Sequence, residues 1–337
     1  MNVTELREWY KEKGKLYFAS IELTQCCNFN CKHCYCTGKG KPYLRAEEYM
    51  AIIDRIWETG CLYLHFTGGE ILTNPEFEAI YRYAKDKGFV IDLLTNGSLI
   101  TDKQIALFKE LPPQSIAITL YGTNEEEYAV FTGSAGNYHK VVRAMDLMRA
   151  NEIPFVLRTV AVQSYKDSLM ALKFEKIAEK YGTTFKYDPI VFPQVNGNTG
   201  PLSQCLSVEE IIALESKNEQ RCSAWKQLID GAGTYTWTCR AGINSLAVDY
   251  KGDAHVCGLY RAEPISILDN SMDVVLKHLA VVHERHINIV NSNACSTCQY
   301  RKLCKWCPAY AYVYNGNTSE PVQRFCDLAE ARVRAFG

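Results

Sequence analysis

For its first two thirds the chain alternates short apolar runs with amphipathic stretches. Runs rich in β-branched and aromatic residues predict strands at Tyr17–Leu23, Tyr63–Phe66, Val90–Leu94, Ser115–Leu120, Val156–Val162 and Thr184–Asp188. Between them, apolar positions recurring every three or four residues predict helices over Ala46–Glu58, Pro75–Lys87, Asp102–Lys109, Asn137–Ala150 and Ser168–Tyr181. Asn74 followed by Pro75 reads as a cap and first helical residue, and Gly88 and Gly182 read as terminators. Six strand–helix units call for parallel strands joined by right-handed crossovers. They predict an α/β fold, either an open doubly wound sheet or a barrel closed part-way. Periodicity alone does not separate the two.

The pattern breaks into Pro, Gly, Asn and Ser between residues 192 and 207, as at a junction. Helical patterns follow at about Val208–Asn218 and Trp225–Ile229. Ser245–Asp249 and Ala254–Cys257 predict a hairpin turning at Lys251-Gly252-Asp253. From Cys239 onward the predicted segments are short and cysteine-dense, so bound metal is expected to supply part of their stability. The expected organisation is a sheet-based domain over 1–200, bridging helices over 201–238 and a small cysteine-rich α+β domain over 239–337.

Composition narrows the class. A chain of 337 residues, 47% of them hydrophobic, can bury a sizeable core. A net charge of −1 with no dense basic stretch argues against a nucleic-acid partner. No apolar run reaches membrane-spanning length, and the charged start, Met1 to Lys15, lacks the apolar core of a secretory signal. Fifteen cysteines without an export signal point to metal ligation in a reducing cytoplasm.

Eight cysteines fall into two closely spaced clusters at opposite ends of the chain. Cys27, Cys31 and Cys34, spaced C-x3-C-x2-C, follow the first strand, at the sheet edge where α/β active sites collect. Three thiolates on one loop leave one iron of a [4Fe–4S] cube open to a substrate or cosubstrate. Zinc is the alternative, with Cys26, His33 or Cys36 as a fourth ligand. The second strand ends in Thr67-Gly68-Gly69-Glu70, where glycines allow close backbone approach and a carboxylate can accept from an ammonium group. The third ends in Thr95-Asn96-Gly97. Three such strand ends meeting one cysteine loop favour the cluster. Late in the chain, Cys295, Cys298, Cys304, Cys307 and Cys326 read C-x2-C-x5-C-x2-C-x18-C, preceded by Cys239 and Cys257. A zinc ribbon would account for the first four of the late run and leave Cys239, Cys257 and Cys326 unexplained.

The three-cysteine loop, Gly68-Gly69-Glu70 and Thr95-Asn96-Gly97 together resemble the radical S-adenosylmethionine (SAM) superfamily. The resemblance implies a partial (β/α)6 barrel over about residues 15 to 190. It implies a [4Fe–4S] cluster on Cys27, Cys31 and Cys34, with SAM chelating the fourth iron and cleaved to a 5′-deoxyadenosyl radical that abstracts a substrate hydrogen. It sets Gly68, Gly69 and Glu70 against the methionine amine and His33 near the adenine. Asn96 and Thr119 fall where relatives contact SAM, and Arg158 pairs with the SAM carboxylate or serves a structural role. The late cysteines resemble the SPASM extension of such enzymes, implying two auxiliary [4Fe–4S] clusters. Cys239, Cys257 and Cys307 would hold the first; Cys295, Cys298, Cys304 and Cys326 would saturate the second. Fully ligated relatives supply an eighth cysteine shortly before the position of Cys239. Here the nearest is Cys222, so an open iron is expected, with ligation by Cys222 as the alternative.

Substrate is read less directly. The resemblance favours peptide modification such as cross-link formation, with a separate leader-binding protein and a reductant such as flavodoxin or ferredoxin. Radical chemistry on a small molecule or tetrapyrrole precursor is the alternative, and a non-catalytic electron carrier is a third possibility. Gly258 stands where sulfatase maturases carry an acidic residue, which ranks that activity low.

Overall fold

The computed structural model describes residues 3–36, 43–231 and 239–337. Six strands form where the apolar runs predict them: β1 (Phe18–Glu22), β2 (Tyr63–Thr67), β3 (Val90–Thr95), β4 (Ser115–Thr119), β5 (Val156–Val160) and β6 (Phe185–Asp188). They lie side by side in chain order and all run parallel. That order decides between the two architectures. Right-handed crossovers advancing always in one direction put every helix on one face, whereas a doubly wound sheet must reverse. The fold is therefore a partial barrel, open because its end strands do not pair with each other.

The helices are α1 (Val3–Glu12), α2 (Ala46–Glu58), α3 (Phe77–Asp86), α4 (Asp102–Glu110), α5 (Glu125–Thr132), α6 (Asn137–Ala150), α7 (Lys166–Met170) and α8 (Lys173–Tyr181). Two departures from expectation have local causes. The single helix expected over Ser168–Tyr181 is broken at Leu172, whose φ is 54°. The helix expected from Pro75 begins only at Phe77. Asn74 is occupied otherwise: its side chain donates to the Leu23 carbonyl at 2.8 Å and accepts the Glu76 N–H at 2.9 Å, tying this turn to the end of β1.

Alternation along the strands divides their two faces. Ala19, Ile21, Leu64, Phe66, Ile91, Leu93, Ile116, Ile118 and Leu157 are buried, in one core with Ile52, Ile53 and Ile56 of α2. Ser20, His65, Asp92, Thr119, Arg158 and Lys186 occupy the opposite, inward face, where strand register sets Ser20 beside His65, His65 beside Asp92 and Arg158 between Thr119 and Lys186. The inward face is thus polar, as a binding cavity requires, and His65 Nε2 meets Asp92 Oδ2 at 2.7 Å.

Residues beyond the junction continue the same sheet. After α9 (Val208–Glu215) and α10 (Glu219–Asp230), β7 (Ser245–Val248) pairs parallel with β1, and β8 (Asp253–His255) and β9 (Ile265–Ser266) follow antiparallel. The last seven residues of the bridging segment expected over 201–238 lie outside the described residues. The predicted hairpin is present as β7–β8. The expectation of short segments alone is corrected by α11 (Met272–Ser292), 21 residues long, and by α12 (Pro308–Asn315) and α13 (Gln323–Phe336). No described helix is long and apolar enough to cross a membrane.

Two buried ion pairs fasten these parts. Arg261, which precedes β9, makes a bidentate contact with Glu22 at the end of β1. Arg332 of α13 grips Glu215 of α9 at 2.6 and 3.0 Å, stacks over Trp225 and reaches the Leu303 carbonyl. Both partners of this second pair are almost wholly buried. Arg332→Ala leaves the buried Glu215 carboxylate with only the more distant Arg221, at 3.9 Å, and is expected to cost about 3 kcal/mol in denaturant unfolding. An Arg332→Met/Glu215→Leu double variant should recover most of that loss, because no charge then remains to desolvate. Equal destabilisation by the single and double variants would refute the ion-pair account.

Candidate active site and auxiliary metal sites

The loop between β1 and α2 has little regular structure of its own and is held by its neighbours. Asn30 N–H donates to the Thr132 carbonyl at 2.7 Å and Lys32 N–H to that of Phe131 at 3.1 Å. Cys27, Cys31 and Cys34 stay partly exposed on it. The Cys27 sulfur accepts the Phe29 N–H at 3.4 Å, the kind of bond that stabilises a metal-bound thiolate. Burial and then Cys31, Cys27 and Cys34 in turn push the Tyr121 hydroxyl well above its usual range. A cavity of about 420 Å³ opens at the loop, lined by Cys31, Cys34, Lys32, Gln194 and Asn198 among others.

The glycine pair packs against this loop. Gly69 N–H donates to the Thr24 carbonyl and Glu70 N–H to the Cys26 carbonyl, each at 2.8 Å. A Cβ on Gly68 would stand 2.2 Å from Thr24 O, and one on Gly69 2.2 Å from Cys26 O. Backbone lies against backbone, so only glycine fits. The Glu70 carboxylate is fully buried and accepts from Thr95 Oγ1 and Asn96 N–H, both at 2.7 Å, and from Leu72 N–H at 3.1 Å. Burial still raises its pKa. Glu70 therefore braces the end of β3 against the cysteine loop, with its side-chain oxygens already engaged. Asn96 extends the brace: its Nδ2 donates to Asn28 Oδ1 at 2.9 Å, and Asn28 in turn donates to Ser98 at 2.8 Å.

His33 lies between Phe131 and Tyr121, with ring centroids 5.1 and 5.7 Å away. Burial draws it down to about 4, a neutral imidazole, and its buried Nδ1 has no hydrogen-bond partner among the described residues. Thr119 and Arg158 face the barrel interior side by side, and Arg158 is exposed there, in mid-strand. The structure thus brings His33, Gly68, Gly69, Glu70 and Asn96 to the cysteine loop and sets Thr119 and Arg158 on the cavity wall. Asn28, Tyr121 and Phe131 were not legible as site residues. Tyr121 could have been found from its place just past the end of β4.

The late cysteines separate into two groups. Cys307 is pushed up to about 12 by burial and, beyond that, by Cys257 and Cys239. Cys326 is raised by burial and then by Cys304, Cys295 and Cys298. Cys257 and Cys239 thus act on Cys307, and Cys304, Cys295 and Cys298 on Cys326. Backbone N–H groups point at their sulfurs: Tyr310 at Cys307 and Trp306 at Cys304, both at 3.4 Å. A cavity of about 630 Å³ is lined by Cys239, Cys257, Cys304 and Cys307 together with Tyr35, His283 and His286. Among the described residues no three His, Cys, Asp or Glu side chains close around a point as one ion needs. Cys222 stands elsewhere, its thiol donating to the Glu215 carbonyl at the end of α9.

An open parallel barrel with three cysteines on the loop after its first strand defines an enzyme built around an iron–sulfur cluster. Residues 21–171 match the Radical SAM superfamily, a family that uses a [4Fe–4S] cluster and SAM. Over 326 residues it is 24% identical to a protein of Methanosarcina barkeri named AdoMet-dependent heme synthase, spanning 89% of this chain and 93% of that one. The structure of anSMEcpe with bound AdoMet and Cp18Cys peptide superposes with a TM-score of 0.69 at 17% identity, covering 94% of this chain and 96% of that one. Streptococcus suis SuiB bound to precursor peptide SuiA gives 0.72 at 11%, covering 94% and 78%. At such identities these last two are likenesses of fold.

Proposed function

We propose that this radical SAM enzyme oxidises a peptide, with a SPASM-type region holding two auxiliary clusters. The observation that carries the proposal is the gathering of Cys239, Cys257, Cys304 and Cys307 around one cavity. When bound, the first cluster and SAM supply a carbon radical that removes a substrate hydrogen. A substrate radical closes into a cross-link only if one further electron and a proton leave it, and auxiliary clusters beside the barrel give that electron a route. The chain's own residues would hold the cosubstrate: His33, Tyr121 and Phe131 offer aromatic walls for an adenine, Thr119 a hydroxyl and Arg158 a cation for a carboxylate. Gly68 and Gly69 let backbone and cysteine loop meet, and Glu70 and Asn96 fix the loop's position. The fold shared with two peptide-bound structures supports a peptide, as does the open edge of the sheet at β6, which leaves room for an extended substrate.

A tetrapyrrole precursor is the second reading. It is favoured by the end-to-end likeness to the heme synthase and by Arg158 and Lys186, adjacent cations on the inward face suited to substrate carboxylates. Anaerobic incubation with SAM and reduced flavodoxin, using either a co-expressed candidate peptide or an iron-tetrapyrrole carboxylate, separates the two. The expected result is peptide-dependent 5′-deoxyadenosine and a product lighter by two hydrogens. Turnover with the tetrapyrrole alone would transfer the assignment to the second reading. Absence of 5′-deoxyadenosine above a Cys27→Ala control would sink both.

A further inference from the structure

The first auxiliary set has three thiolates for four irons, and the cavity they line contains another donor. His286 lies on α11, is 6% exposed, and has a buried Nε2 with no hydrogen-bond partner among the described residues. Leaving such a nitrogen unsatisfied is costly, so a native chain that keeps one there has a use for it. Its neighbour His283 is accounted for: Nδ1 meets the Ala241 carbonyl at 2.7 Å, pinning the Cys239 loop to α11. Gly242 in the same loop packs so closely on α11 that an added Cβ would stand 2.7 Å from the Leu279 carbonyl. Tyr260 sets its ring edge-on to His286 at 4.7 Å, and fixes the imidazole orientation. Tyr260 also forms an isolated bridge with Cys257, so one residue positions both donors. Cys222 is engaged with carbonyls at the end of α9 and does not line the cavity.

We propose that His286 Nε2 is the fourth ligand of the first auxiliary cluster, completing a three-cysteine, one-histidine site with Cys239, Cys257 and Cys307. This rests on the auxiliary-cluster reading above and replaces the expected open iron. It makes the cluster a closed electron relay, and substrate then binds beside it without joining an iron. Exchanging a thiolate for a neutral imidazole also removes negative charge, which raises the reduction potential, as His ligation does in Rieske centres.

The test uses the full chain with Cys27, Cys31 and Cys34 replaced by alanine, so that only auxiliary clusters give a signal. After reduction, pulsed paramagnetic resonance should show nitrogen coupling that changes on labelling histidine with 15N. In the same background His286→Cys should abolish that coupling, keep about eight irons per chain, and shift one midpoint potential negative. Cys222→Ser should leave the spectrum unchanged. Nitrogen coupling that survives His286→Cys, a spectrum that changes with Cys222→Ser, or an iron that takes up added cyanide in the parent would each overturn the ligand assignment while leaving the cluster reading intact. A triple-alanine chain that binds no iron would overturn both.

Discussion

Replacing Cys27, Cys31 and Cys34 together with alanine will take 5′-deoxyadenosine formation to background and lower iron from about twelve to about eight per chain. The selectivity follows from the fold. The three thiols are partly exposed on a loop whose position is set by backbone bonds to Phe131 and Thr132 and by the Asn28–Asn96 pair, none of which the substitutions touch. No large apolar side chain is removed, so the barrel core is expected to survive. The late cysteines are held by α11, α12 and α13 and by the Arg261 and Arg332 ion pairs, none of which the substitutions remove. Iron and SAM cleavage should therefore part company: one cluster lost, all cleavage lost, two clusters kept. Full cleavage activity in the triple variant would defeat the assignment of the first cluster. About four irons in the parent, with zinc making up the remainder, would defeat that of the late cysteines.

What the sequence revealed depended on whether a local pattern carried the signal. Strand β2 alternates so regularly that its end, and hence Gly68-Gly69-Glu70, could be placed from residues 63 to 70 alone. The helix α5 was missed because three successive glutamates at its start obscure any apolar period, although Asn124 caps it by accepting the Glu127 N–H. Helix α11 was missed for a related reason: its buried stripe includes His283 and His286, which a hydrophobic count scores as polar. The brace function of Glu70 was out of reach, because its partners Thr95 and Asn96 come from another strand. The same holds for Phe131, which reaches the cysteine loop only once α5 is packed. Local chemistry was legible; what holds it in place is tertiary.

Gly69→Ala will cut SAM cleavage by about a hundredfold or more and deplete the first cluster, while leaving auxiliary iron in place. An alanine Cβ there would meet Cys26 O at 2.2 Å and Gln25 O at 2.8 Å, and neither atom is the end of a flexible side chain. Relief must come from separating β2's end from the cysteine loop, which breaks the 2.8 Å bonds from Gly69 N–H to Thr24 and from Glu70 N–H to Cys26. Cys27 is the next residue, so the displacement passes directly to a thiol ligand. Shifts of about 1 Å in a reacting geometry are enough for a hundredfold loss. Gly88→Ala is the control for backbone strain alone: Gly88 has positive φ, 86°, which Gly69 does not, and nothing lies within 4 Å of its Cβ position. Its alanine variant should lose about 1–3 kcal/mol of stability through backbone strain and keep both cluster iron and cleavage. If Gly88→Ala depletes the first cluster as far as Gly69→Ala does, loss of stability alone explains the effect and the close approach to the cysteine loop is incidental; if only Gly69→Ala loses the first cluster, the glycine pair serves to seat the loop.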